Sequence, residues 1–244
     1  MSNISLLNAE QTPYFPAVEE ALDDPEGLLA IGGALTTPWL LAAYQRGIFP
    51  WFNDGQPIMW WCPMPRMVLS PGEAHISKSL RKAFRRQPVE IRVNSQFEQV
   101  IRNCANNPLR RDGSWITEQM VQAYIRLHKE GWAHSFEVWQ QGSLIGGLYG
   151  VGIDRCFFGE SMFSLQPSAS KFAFIALSEW AKEAELSMID CQLYNPYLDS
   201  LGASMMAKQP FQERLPNQET RLAAMDAASV NLSFLRLMEP ESQR

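Results

Sequence analysis

The stretch SFEVWQQGSLIGGLYGVGIDRCFFGESMF, from Ser135 to Phe163, decides the fold. Within it, Ser135–Trp139, Ser143–Gly152 and Arg155–Phe163 show the strand-like patterning of a pleated sheet. Gln141-Gly142 and Gly152-Ile153-Asp154 interrupt it where tight turns belong. Three consecutive hairpin strands are therefore expected. Beyond them, Ser168 is placed to cap a long amphipathic helix reaching about Glu183, and Ser187–Cys191 reads as one more strand. Towards the N-terminus, His75–Arg86 looks helical and Val89–Val93 alternates like a strand. Ser95-Gln96-Phe97-Glu98 has the form of a capping box opening a helix towards Cys104, and Thr117 is placed to cap another helix ending at Gly131.

Strands, helices and a final strand in this order make an α+β domain, a mixed sheet with flanking helices, over residues 66–244. The order resembles the N-acetyltransferase (GNAT-type) superfamily fold. Residues 1–65 are rich in aromatics, Pro and Gly and read as a small N-terminal domain. Its one clear helix has Thr37 as N-cap, Pro38 at the first helical position and Gly47 just past the end. From Arg214 onward a helix and a tail are expected, with no functional signal.

The totals narrow the function. The chain has 244 residues, 46% hydrophobic and 19% charged, an ordinary composition with enough length for a real core. No apolar run approaches a membrane span, and Met1–Glu10 lacks the regions of a signal peptide, so a cytoplasmic protein is expected. Cys62, Cys104, Cys156 and Cys191 form no C-x-x-C pair, and the three histidines show no metal spacing; neither a metal nor a disulfide is expected. The net charge of −5 means that a nucleic acid would have to meet a local basic patch.

Such a patch is present. Lys78, Arg81, Lys82, Arg85 and Arg86 are five cations within nine residues, with no acidic residue inside the run to pair with them. At helical spacing Lys78, Lys82 and Arg86 line one stripe, with Arg81 and Arg85 beside it. Phosphates would relieve that repulsion; a solvated charged face is the plainer alternative. The glycines at 146, 147, 150 and 152 lie inside a strand pattern and signal a bulge or close backbone approach rather than a phosphate loop. The segment Phe163-Ser164-Leu165-Gln166-Pro167-Ser168 before the long helix has no glycine and includes a proline, which argues against acetyl-CoA.

Several segments together resemble one family, the leucyl/phenylalanyl-tRNA–protein transferases of bacterial N-end-rule degradation. They are Pro25-Glu26-Gly27-Leu28-Leu29-Ala30, Ala43-Tyr44-Gln45-Arg46-Gly47-Ile48-Phe49-Pro50-Trp51-Phe52, Ser114-Trp115-Ile116-Thr117, His134 to Trp139, Gly159-Glu160-Ser161-Met162-Phe163, Ile189-Asp190-Cys191-Gln192 and Ser200-Leu201-Gly202-Ala203. The tail beyond about Lys208 departs from the family pattern.

The resemblance implies a transferase without metal or organic cofactor. It would move Leu, Phe or, less readily, Met from aminoacyl-tRNA to proteins beginning with Arg or Lys. Apart from the resemblance, a monomer is expected, and the lack of a long apolar run leaves no membrane partner expected. The basic run would meet the acceptor stem, and Trp51 and Trp115 would flank the 3′-terminal adenosine. Leu148, Phe157, Phe174, Leu177 and Ile189 would line the amino-acid pocket, and Glu160 and Ser161 would contact substrate. Glu160 lies in an otherwise apolar strand, where a carboxylate needs a partner. It could hold the donor's α-ammonium or the acceptor's N-terminus, or simply face water.

On a regular strand Asp190 and Gln192 share a face, with Cys191 opposite. That spacing permits an Asp190–Gln192 hydrogen bond aimed at substrate, with Asn195 as a nearby polar ligand. A neutral amide is a poor base, so the expectation is that Gln192 orients the attacking amine while the Asp190 charge assists proton removal. Three rival readings are weaker: a thiol nucleophile at Cys191 with His134, an acetyltransferase-fold enzyme with another acyl donor, and an RNA-binding module without chemistry.

Overall fold

The computed structural model describes residues 4–106 and 115–239, so Ser114 of the quoted motifs lies outside the described residues. In chain order the elements are β1 Ser5–Leu7, β2 Leu28–Gly32, α1 Thr37–Tyr44, β3 Phe49–Pro50, β4 Met59–Trp61, β5 Arg66–Leu69, α2 Lys78–Arg86, β6 Glu90–Val93, α3 Phe97–Ala105 and α4 Glu118–Lys129. There follow β7 Ala133–Gln140, β8 Ser143–Ile153, β9 Cys156–Ser164, α5 Ala169–Glu183, β10 Met188–Gln192, α6 Pro196–Asp199, β11 Ser204–Met206, α7 Lys208–Gln212 and α8 Ala227–Met238.

This is a mixed α+β structure with two sheets. A four-stranded sheet has the order β1-β2-β4-β3, and a seven-stranded sheet the order β11-β5-β10-β9-β8-β7-β6. In the larger sheet β9 and β10 are parallel, joined by the α5 crossover, and the other neighbours are antiparallel. One apolar cluster runs from Phe15, Trp39 and Trp60 beside the small sheet to Phe97, Tyr124 and Tyr149 under the large one. Helix α5 crosses the opposite face and heads a second cluster with Phe136 and Phe157.

The three predicted hairpin strands are present as β7, β8 and β9: β7 runs beyond the expected strand at both ends, β8 gains Ile153, and β9 keeps its expected length but starts one residue later. The strand glycines mark close approach: a Cβ on Gly146 would stand 2.5 Å from the Ala169 Cβ of α5. Among the described residues no helix is long and apolar enough to cross a membrane.

Several helix starts differ from expectation. Helix α1 has Thr36, not Thr37, at its N-cap position. Residues 75–77 precede α2 rather than joining it, and Ser77 caps that helix by accepting from Leu80 N. The Ser95 capping box does not form. Ser95 Oγ instead donates to the buried Glu137, which also accepts from Gln96 N, Ser135 Oγ and Trp139 Nε1. Ser168 does precede α5, but in the left-handed region (φ 71°) and without a side-chain cap. Ser164 Oγ takes that place, accepting from Ser170 N. Thr117 caps α4 as expected, accepting from Met120 N at 3.3 Å.

Candidate active site

Two bulges in neighbouring strands build the site. Strands β9 and β10 pair in parallel as far as Asp190↔Phe158. Just beyond, Tyr149 pairs with Ser161 and Gly150 with Gly159, which leaves Glu160 as the extra residue of β9. On β10, Asp190 pairs with Val68 and Gln192 with Met67, which leaves Cys191 extra and puts Gln192 at φ 63°. A bulge breaks the two-residue alternation and re-aims side chains. Both bulges open onto a cavity of about 770 Å³, within the ordinary size range of ligand sites.

Glu160 lines this cavity although its side chain is largely buried. Tyr44 OH of α1 donates to its Oε1 at 2.7 Å, Tyr124 OH of α4 to its Oε2 at 2.9 Å, and Gln192 Nε2 to Oε1 at 2.8 Å. The two phenol oxygens are also in direct contact. Burial pushes the Glu160 carboxyl up to about 7, against the lowering effect of the two tyrosines, with the Asp190 charge adding to the rise. Both phenols are held well above their usual range, mainly by burial, and stay protonated. Three O···O contacts join the two phenols and the carboxyl. When Glu160 is ionised only two protons serve them; when it is neutral there are three, one per contact. The cluster therefore accommodates a proton on Glu160, and water facing it is not needed to satisfy it.

Asp190 is turned away from the cavity. Its Oδ1 lies 3.2 Å from Arg66 Nε, with both side chains fully buried, and accepts from the backbone N–H of Gln192 at 2.8 Å. The expected side-chain bond from Asp190 to Gln192 is absent, because Gln192 is used through its backbone by Asp190 and through its amide by Glu160. Burial raises the Asp190 carboxyl, and Arg66 opposes that rise. Arg66 itself stands between the rings of Phe49 and Phe211, 5.0 and 4.8 Å from their centroids, and donates to Gly47 O.

The other expected residues divide. Trp51, Trp115, Ser161, Leu148, Phe174, Leu177 and Ile189 all line the cavity. Trp51 stays 39% exposed and leans on Trp61, ring centroids 5.5 Å apart. Phe157 lies outside the lining, fully buried edge-on against Phe136. Asn195 is at the rim, where its Oδ1 caps α6 by accepting from Tyr197 N at 2.8 Å. Cys191 lines the cavity rather than facing away, a direct result of the bulge, and burial pushes its thiol far above its ordinary value. His134 is no partner for it: β8 and β9 separate their strands, and His134 contacts Asn94.

On α2, Lys78, Lys82, Arg85 and Arg86 are exposed. No ion pair to any of these four is found among the described residues. Arg81 departs from that stripe and donates to Leu237 O at the end of α8.

Residues that sequence reasoning missed are Tyr44, Tyr124 and Arg66. Tyr44 stands inside a quoted motif and next to apolar helix positions, and a buried tyrosine normally finds a partner for its hydroxyl. That signal was available; the identity of the partner was not.

Comparison with known proteins adds a second line of evidence. The family profile described as leucyl/phenylalanyl-tRNA protein transferase matches residues 68–216, and that of its N-terminal domain matches residues 33–64. The chain is 51% identical over 199 residues to the leucyl/phenylalanyl-tRNA–protein transferase of Chromobacterium violaceum, covering 82% of this chain and 85% of that one. It is 47% identical over 215 residues to the protein of the same name from Saccharophagus degradans, 88% of each. For that of Stutzerimonas stutzeri the identity is 48% over 212 residues, 87% of this chain and 94% of the relative.

Proposed function

The chain belongs to the leucyl/phenylalanyl-tRNA protein transferases, an aminoacyltransferase family, and on that premise we propose that its cavity joins the aminoacyl end of a charged tRNA to the N-terminal amine of a protein. The observation that carries the reading is the meeting of Glu160 and Gln192 at the wall of a cavity with an apolar floor and two tryptophans.

The donor's Leu or Phe side chain enters the floor made by Leu148, Phe174, Leu177 and Ile189, where Met is also accommodated. Trp51 and Trp115 take the terminal adenosine between them. The exposed cations of α2 meet acceptor-stem phosphates. The fold is of the acetyltransferase type, supported by the parallel β9/β10 pair that opens at the site and by the long helix between them. Its N-terminal unit, up to about residue 65, forms the wall carrying Phe49, Pro50 and Trp51. The aminoacyl ester is already activated, so no metal or organic cofactor is needed. The enzyme acts as a monomer in the cytoplasm, where its acceptors, beginning with Arg or Lys, are marked for N-end-rule degradation.

In the reaction the neutral acceptor amine attacks the ester carbonyl, a C–N bond forms, the ester C–O bond breaks, and the ribose oxygen leaves as a hydroxyl carrying the proton that the attacking nitrogen gives up on becoming an amide. The amine arrives partly as an ammonium, with an ordinary pKa of about 7.7–8.0. Gln192, fixed by Asp190 through its backbone, orients that amine. Glu160 accepts the ammonium proton as it becomes the neutral third member of the tyrosine cluster, then releases it to solvent. Asp190 acts through Gln192 and is a positioning residue. Asn195 shapes the rim by starting α6. Positioning and stabilisation of the developing oxyanion supply most of the rate.

The deciding experiment uses purified protein, radiolabelled Leu-tRNA, an acceptor beginning with Arg and a control beginning with Ala. Label on the Arg acceptor alone, lost when the donor is treated with ribonuclease, is the expected result. Intact tRNA binding without transfer would sink the catalytic reading.

A further inference from the structure

Helix α8 lies beyond residue 216, where the family match ends, yet it is bound to the basic helix. Arg81 Nη1 donates to Leu237 O and stands 3.4 Å from Glu239 O. Carbonyls at a helix C-terminus lack partners within the helix and sit at its negative end, so a guanidinium there is well placed. Phe84 of α2 meets Phe234 of α8 edge-on at 5.7 Å, and Phe234 meets Phe172 of α5 at 5.9 Å. Asn231 Oδ1 accepts from Ile91 N of β6 at 2.8 Å, and Ser233 Oγ donates to Glu183 of α5 at 2.6 Å. Helix α8 is thus pinned to the body of the domain on one side and grips α2 on the other.

Helix α2 needs such a grip. It has nine residues, five of them cationic, and Leu80 is its one fully buried side chain. A helix of that length is marginal alone, and its like charges weaken it further. We propose that α8 is a brace that holds α2 helical and oriented, so that Lys78, Lys82, Arg85 and Arg86 reach RNA phosphates as a preformed set while Arg81 serves as the strut. Without the brace the ordering of α2 is paid for at the moment of RNA binding. The inference rests on the reading of α2 as the phosphate contact.

The test uses the full chain and two donors: leucyl-tRNA, and a leucylated trinucleotide carrying the terminal CCA but no acceptor stem. Phe234→Ala is expected to raise the KM for leucyl-tRNA about tenfold, with KM and kcat for the trinucleotide donor unchanged. Asn231→Ala, which spares the ring packing, is expected to act in the same direction and replaces Phe234→Ala if that variant does not fold. Equal losses with both donors, or an unchanged KM for leucyl-tRNA in both variants, overturns the brace. Lys82→Glu separates the premise: if it weakens tRNA binding while the α8 variants do not, the brace alone fails. If it leaves tRNA binding unchanged, the phosphate reading of α2 fails and the brace with it.

Discussion

Arg66 and Asp190 form an ion pair in which neither side chain is more than 1% exposed, Nε to Oδ1 at 3.2 Å. It joins β5 to β10 one residue before the bulge that carries Cys191 and Gln192. Because Asp190 also accepts from Gln192 N, the pair fixes where the amide of Gln192 points. A buried pair of this kind adds little net stability compared with apolar packing, but losing one member leaves an uncompensated charge.

Arg66→Met is therefore expected to lower unfolding free energy by about 3–5 kcal/mol, read from denaturant midpoints. Arg66→Met with Asp190→Leu recovers most of that loss. A double variant as unstable as the single one would show that the aromatic contacts of Arg66, not its charge, matter.

Asp190→Asn keeps the volume and one acceptor. Its expected effect is a lower kcat with little change in KM for charged tRNA, since only the aim of Gln192 suffers. A raised KM with kcat intact would instead place Asp190 in donor binding.

Glu160 gives the reaction and the fold a pH dependence of known sign. Its folded value of about 7 lies above the ordinary 4.5, so between those values the native state binds the proton that the unfolded chain has released. Stability must fall as pH rises through that window, by on the order of 3 kcal/mol in all. Activity runs the other way, rising as Glu160 ionises near pH 7. Glu160→Gln is expected to flatten the stability profile and cut kcat on the order of 100-fold. Tyr124→Phe removes a donor to the carboxylate and should move the acid limb of activity upward. A Glu160→Gln variant whose stability keeps the full pH dependence would refute the assignment.

How much of this was legible in the sequence follows from what each feature depends on. The hairpin strands and α4 rest on local patterning and on caps within three residues, and these are present. The capping box at Ser95 failed because Glu137, 42 residues away, is buried and takes the Ser95 hydroxyl. The bulges at Glu160 and Cys191 depend on register against Tyr149 and Met67 on other strands, which period-two alternation assumes to be regular. That is why Cys191 was expected to face away and instead lines the cavity. Tyr44 and Tyr124 lie 80 positions apart and converge only once α1 and α4 pack, so the carboxylate's partners were beyond sequence spacing.

The pocket floor predicts modest selectivity. Leu177 and Phe174 are both nearly fully buried at the cavity wall, so Phe174→Leu enlarges the space at the cost of some packing. Apolar cavities separate neighbouring side chains by only about 1–3 kcal/mol, so the ratio of kcat/KM for Phe over Leu should rise by no more than about 100-fold. Parallel assays with Phe-tRNA and Leu-tRNA measure it. An unchanged ratio would put the side chain elsewhere.

The basic helix predicts a salt signature. Each phosphate neutralised on duplex RNA releases counterions, so log affinity falls with log salt in proportion to the number of contacts, roughly 0.9 per contact for a duplex and 0.7 for a single strand. Lys82 and Arg86 lie on the exposed stripe with no ion pair to relinquish among the described residues, so their loss costs little stability. Replacing both with Ala should weaken tRNA binding and flatten the slope by roughly 1.8, while thermal stability stays within about 0.5 kcal/mol of wild type, as for other surface changes. Measured from 50 to 300 mM salt, a weaker affinity with an unchanged slope would mean that the two side chains act on the fold of α2 and not on phosphate. The same slope in the double variant with full affinity would take Lys82 and Arg86 out of the RNA interface.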